Sequence, residues 1–309
     1  MDTTKLLSLA MIVLVGTLCV GVVALATDFI WDASTTNTRW VTRNNWDQNS
    51  GHPDDVNDNA TIEAARFLCT YDPGSALTIN NLGLAGASPT KRKLHIKDAA
   101  LTVDGVATLG DYAELDVDQN LTIDDTDMSG GIWIDVADST TADLGTTVDV
   151  LGTAGATGIS CILDVEDNNS GALTMATLTV DAAAGDVARG LKVVGSNSTL
   201  EVTTKLALKS KQAAETKRAK LWVGAGMTVD ISAAGDPNSV LEVDGGDSSS
   251  RRAELDIDDT LTAEETQFKS GYAAIDVAPG KTAKGGDVIF EAGAILVKTG
   301  SGTFRSGAP

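Results

Sequence analysis

The stretch AELDVDQNLT at 113–122 returns 140 residues later as AELDIDDTLT at 253–262, identical at seven of ten positions. The likeness runs outward in both directions. LTVDG at 101–105 matches LEVDG at 241–245, and IDVA recurs at 134–137 and 275–278. Looser relatives fill the interval: KLHIKDAALTVDG (93–105), RGLKVVGSNSTLEV (189–202) and KLWVGAGMTVD (220–230). Each gives a Leu-x-Val pair, a few polar or small residues, and a second such pair. Self-similarity of this kind decides the architecture before any other feature.

The alternation begins at Leu94/Ile96 and Leu101/Val103 and passes through Leu115/Val117, Leu121/Ile123 and Ile132/Ile134/Val136. It continues to Leu221/Val223, Leu241/Val243, Leu255/Ile257, Ile275/Val277 and Ile295/Val297. Segments of three to five alternating residues bounded by Gly, Asp, Asn or Ser are half-buried strands too short to bury a face alone. Asp-Gly hairpin turns occur only at Asp104-Gly105 and Asp244-Gly245, so a hairpin sandwich is disfavoured. The expected fold is all-β: a single-stranded parallel β-helix, or β-solenoid, in which like residues stack in columns. The apolar ones form the core, and outside runs a column of His95, Asp116, Asp164, Lys192, Trp222, Glu242, Asp256 and Asp276.

Three segments are expected. Residues 1–26 read as a signal peptide, with Lys5, an apolar run Leu6 to Val23, and Ala24-Leu25-Ala26 before a cut at Thr27. The run is long enough that a retained anchor is the competing reading. Residues 27–66 form an atypical cap with Trp31, Trp40 and Trp46 among polar residues, as terminal repeats require. The alternative role of the three rings is a sugar-stacking platform. Residues 67–309 carry the repeats. Within them Lys205 to Lys220 holds six basic residues against one Glu and reads as a long loop or short helix leaving the stack. Cys69 and Cys161 are expected to be separate buried thiols, because several rungs at ~4.8 Å each exceed the ~7 Å reach of a disulfide.

A formal charge of −20 excludes a nucleic-acid partner, whose phosphates need a basic footprint. Stacked carboxylates repel, and an oxygen-ligated cation relieves that. Asp116, Asp118, Asp124, Asp125 and Asp127, with Asp256, Asp258 and Asp259 in the second copy, are therefore candidate calcium ligands. The competing reading is a solvated acidic face. With two histidines in the chain, no Ser, His and Asp set can be traced and no zinc-type spacing exists, so catalysis is not expected. Basic residues precede several strands at Lys91 to Lys93, Arg189, Lys217-Arg218 and Arg251-Arg252. Such an edge balances the acidic face within one molecule or docks a neighbouring copy.

Trp40, Asn45-Trp46, Pro53 and Asp58-Asn59-Ala60-Thr61-Ile62, followed by Leu-x-Val coils, resemble the N-terminal region of secreted bacterial β-solenoid surface proteins. These include the autotransporter-associated β-strand repeat proteins and related planctomycete exoproteins. The resemblance implies a right-handed parallel β-helix at the cell surface. The expected function is a non-catalytic extracellular structural or interaction protein: a fibre, sheath or layer subunit, or an adhesin, self-associating or binding other surface components. The alternative is a carbohydrate-binding or polysaccharide-cleaving β-helix using Trp31, Trp40, Trp46 or Trp222.

Overall fold

Alternating apolar residues can bury one face of a short strand only if another strand lies directly above and below, and the chain is built to supply these neighbours. The computed structural model describes residues 26–32, 37–48, 51–62, 68–86, 92–110, 112–129, 132–137, 139–150, 171–182, 190–195, 197–210, 219–232, 239–249 and 252–307, and the backbone alone at 161–165 and 189. The signal segment, Lys91, Lys217, Arg218 and Arg251, and the side chains of Cys161 and Arg189, lie outside the described residues. The fold is all-β, with strands from Thr27–Ile30 to Thr303–Arg305 and a single 3-10 turn at Arg43–Asn45 among the described residues.

Every pairing between named strands is parallel, in a ten-stranded and a 17-stranded sheet. One turn of chain explains both. Arg92–Ile96 leads into Leu101–Leu109, and the next turn repeats this with Ala113–Val117 and Leu121–Met128. Ala113–Val117 pairs with Arg92–Ile96, while Leu121 to Ile123 pair with Leu101 to Val103 and Asp125 to Met128 pair with Val106 to Leu109. The break between Val103 and Val106 bends the long strand around a corner. The 17-stranded sheet is thus two ladders joined at corners, and each turn adds one strand to each of three ladders.

Ladder I is the ten-stranded sheet, from Leu68–Tyr71 to Ala294–Thr299. Ladder II begins at Leu77–Ile79 and ends at Thr303–Arg305, and ladder III begins at Thr27–Ile30 and ends at Asp287–Phe290. The three enclose one continuous core in which Leu94, Leu115, Ile134, Val193, Val223, Leu261 and Val277 are at most 1% exposed. Each such side chain contributes about 1.5–3 kcal/mol by leaving water.

The duplicated stretches stack less simply than their sequences suggest. On ladder II Leu121 and Leu261 occupy one column, and on ladder III Thr126 and Thr266 occupy one column. On ladder I the column of Leu115 runs through Ile134, Leu163, Val193 and Val223 to Ile257 rather than Leu255. A displacement of two residues keeps every side chain on its own face. The single outward column expected from the sequence is therefore two. His95, Asp116 and Asp135 share one, with the backbone of Asp164 next in register, while Lys192, Trp222, Asp256 and Asp276 share the other. Glu242 stands on ladder III between Ala207 and Gln267.

Two further expectations are corrected. Lys205 to Lys209 do not leave the stack: they complete the strand Ser198–Lys209, paired with Thr177 to Asp181 and with Val240–Asp244. Leu206 and Leu208 supply the inward face there, which the surrounding lysines hide in the sequence. At the last turn Leu296, stacked on Ala273, packs against the core, whereas Ile295 stacks on Tyr272 and is 43% exposed. The inward pair is thus one residue away from Ile295/Val297.

The N-terminal segment both starts and closes the stack. Trp31, Trp40 and Trp46 are 0% exposed and meet edge to face, with centroids 5.1 and 4.8 Å from Trp46. Trp46 Nε1 donates to Trp40 O and Trp40 Nε1 to Pro53 O. Asp58–Ile62, inside the segment assigned to the cap, is already a rung of ladder III. Cys69 starts ladder I, four strands before Cys161–Val165 in that ladder, and its buried thiol is free.

Candidate functional site

The densest cluster of chemically versatile side chains lies on the outward face of ladder I. His95 and Asp116 are directly paired residues on neighbouring strands, and Lys93 pairs with Glu114 beside them. Alternation sends Lys93 and His95 outward because Leu94 and Ile96 face the core, and Glu114 and Asp116 outward because Leu115 and Val117 do. Asp118 follows the strand, its backbone fixed by donation of its N–H to Ile96 O at 2.9 Å. His95 Nε2 lies 2.6 Å from Asp118 Oδ2 and 3.7 Å from Asp116 Oδ2. Lys93 Nζ lies 2.5 Å from Asp116 Oδ2 and 3.4 Å from Glu114 Oε1. Burial works against the Lys93 charge, but hydrogen bonding and attraction from Asp116 and Glu114 raise its pKa above the ordinary value.

The other expected calcium ligands do not join this group. Asp124, Asp125 and Asp127 belong to Leu121–Met128, which turns the corner between ladders II and III. Asp125 Oδ1 accepts the Thr147 N–H at 3.0 Å, and Asp127 is stacked between Thr108 and Asp149. Asp124 lines a groove of ≈ 360 Å³ with Asp104, Asp143 and several threonines. In that groove Asp143 Oδ1 is engaged by the Gly145 N–H.

The second copy uses its carboxylates one by one. Asp256 pairs with Lys220 at 3.0 Å, and Asp258 accepts Trp222 Nε1 at 2.8 Å. Asp259 meets Lys281 at 2.9 Å and the Gly226 N–H at 2.8 Å. Burial pushes Asp259 up, and the bonds from Lys281, Gly226 and Thr260 more than offset this, leaving its carboxyl below the usual range. Neither copy gathers all its aspartates around one point: Asp124, Asp125 and Asp127 lie past Leu121 on the strand that turns the corner, away from Asp116 and Asp118, and Asp256, Asp258 and Asp259 each take a different partner.

The aromatic candidates are accounted for by packing. Trp31, Trp40 and Trp46 present no ring face to a sugar, since all three are 0% exposed. Trp222 points outward on ladder I, but Lys192 Nζ sits 4.1 Å from its ring centroid and Lys220 Nζ 5.6 Å. Of the basic candidates, Arg252 bonds Glu254 at 3.0 Å. The carboxylate reading omits Lys93 and His95. Aligning KLHIK (93–97) over ELDVD (114–118) puts His95 on Asp116 and Lys93 on Glu114, so the signal was available in the repeat.

Three mixed donors, two on paired strands and one in the turn that follows, can bind a cation or carry surface charge. Compared with protein-family models, with curated proteins and with solved structures, the chain matches none of them.

Proposed function

We propose that this chain is an exported, non-catalytic β-solenoid rod that acts as a structural or interaction protein at the cell surface or in a matrix, docking through the edge of its last described rung. Parallel strands joined by crossovers in one sheet strongly favour right-handed winding, which supports a right-handed solenoid. Ten strands of ladder I at ~4.8 Å spacing give a rod about 45 Å long. The apolar run at 6–23 supports export, and the resemblance to secreted β-solenoid surface proteins agrees with this reading.

The observation that carries the docking role is the difference between the two ends. At the first rung the outer edge of Thr27–Ile30 is occupied: Ile30 N–H donates to Asp47 Oδ1, Asp47 N–H to Ile30 O, and Gln48 Nε2 to Asp28 O. Ladder I is covered there by bonds of Thr38 and Trp40 with Thr70. At the last described rung, Asp287–Phe290, Ala294–Thr299 and Thr303–Arg305 each pair with a strand on one side. Ile289, Phe290 and Ile295 are 43, 53 and 43% exposed there. An edge of this kind is a template for another strand.

Among the described residues the first strands of ladders I and III have their outer edges bonded and the last strands do not, and this asymmetry disfavours a head-to-tail filament. Two such last rungs meeting about a two-fold axis pair their strands antiparallel and stop at a dimer. Sedimentation velocity and negative-stain microscopy of the chain from Thr27, across a concentration series, are expected to give a dimer of doubled length. Phe290→Lys is expected to return it to monomer without loss of β-structure. A monomer at every concentration contradicts the docking role.

A further inference from the structure

We infer that His95, Asp116 and Asp118 form a binding site for a borderline divalent transition-metal ion of the zinc, nickel or copper class, not for calcium. The three donor atoms lie within 4.8 Å of one another. His95 and Asp116 come from neighbouring strands of ladder I whose register is fixed on both sides, by Leu68–Tyr71 and by Ile132–Val136, and Asp118 directly follows the second strand, held by its N–H bond to Ile96 O. One imidazole nitrogen with two carboxylate oxygens suits these metals, whereas calcium takes six to eight oxygens. Bonds of ~2.0–2.2 Å to a shared ion place its ligands roughly 3–3.5 Å apart. The observed 2.6 and 3.7 Å separations bracket that range, so small side-chain rotations complete the set.

His95, at 21% side-chain exposure, is reachable from solvent, and three protein donors leave positions for water. The Lys93 ammonium is the built-in competitor. It sits on Asp116 Oδ2, the oxygen nearest His95, and also has Glu114 within reach. Metal entry displaces Lys93 from Asp116 onto Glu114, so the native site is weaker than the same three ligands without the lysine. The inference stands on these side chains alone and is independent of end-to-end docking.

Isothermal titration of the chelator-stripped chain from Thr27 with zinc chloride, and separately with nickel and calcium chlorides, tests it. One zinc or nickel ion per chain is expected, with no stoichiometric calcium binding. His95→Ala and Asp118→Asn should abolish the site, His52→Ala should leave it, and Lys93→Ala should tighten it. Circular dichroism of each variant reports whether the β-fold is intact, and Asp118→Asn, outside the strands, serves if His95→Ala disturbs it. Zinc and nickel heats unchanged by His95→Ala and Asp118→Asn overturn the inference. So does the absence of stoichiometric binding, or a site that Lys93→Ala leaves no tighter.

Discussion

Cys69 and Tyr71 stand at the start of ladder I, where burial raises both the thiol and the phenol above their ordinary values. A group raised on folding stabilises the native state below its unfolded pKa, and the contribution is lost as pH climbs toward the folded value. With reference values of 9.0 for the thiol and 10.0 for the phenol, the urea midpoint should decline from about pH 9 upward, and Cys69→Ala should soften the onset. Asp259 has the opposite sign. Its lowered carboxyl supports the fold above the reference 3.8, and that support fades as pH falls through the folded value. The Cys69 thiol should also resist Ellman's reagent until the chain is unfolded, since reactivity follows the thiolate. In the cap, Trp46→Ala removes the ring that touches Phe29, Trp31 and Trp40. A loss of about 3–5 kcal/mol is expected in equilibrium unfolding.

At the scale of the strand and its corner, the two copies share a device that their apolar pattern does not announce. Thr126 and Thr266 occupy inward positions of ladder III, where Oγ1 of each donates to a carbonyl on the next turn, Leu144 O at 2.9 Å and Gly285 O at 2.8 Å. The residue after each acceptor is a glycine with positive φ, Gly145 at 94° and Gly286 at 57°. A Cβ there would lie 1.9 Å from Asp124 O or 1.8 Å from Glu264 O. Thr126→Val keeps the shape but orphans the Leu144 carbonyl, and about 1–3 kcal/mol of destabilisation is expected. Gly145→Ala adds backbone strain to a backbone collision, so a loss of at least about 1–3 kcal/mol is expected in the same denaturation assay.

What the sequence made legible follows from the same elements. Leu-x-Val pairs revealed the inward faces because alternation is a local property. Closure into three ladders was not readable, because long strands such as Leu101–Leu109 serve two ladders by bending at a polar corner. The two-residue displacement on ladder I was equally hidden, since it changes neighbours without changing faces. The His95 group was half legible: the repeat stacks His95 on Asp116, while Asp118 joins through a turn beyond the strand.

The whole molecule is quasi-one-dimensional, each turn touching the turns before and after it, so position along the chain translates into height along the rod. Glu114, Trp133, Ile162, Lys192, Trp222, Asp256 and Asp276 are successive backbone partners in one register column of ladder I. The stack of rungs underlies both the proposed docking edge and the proposed metal site, and this column measures it directly. Spin labels at Glu114→Cys and Asp276→Cys, with the native cysteines replaced, should give an electron–electron distance centred near 30 Å, from six rungs at ~4.8 Å. A distribution centred below about 20 Å or beyond about 45 Å, outside what six stacked rungs and two label arms permit, would contradict the rod.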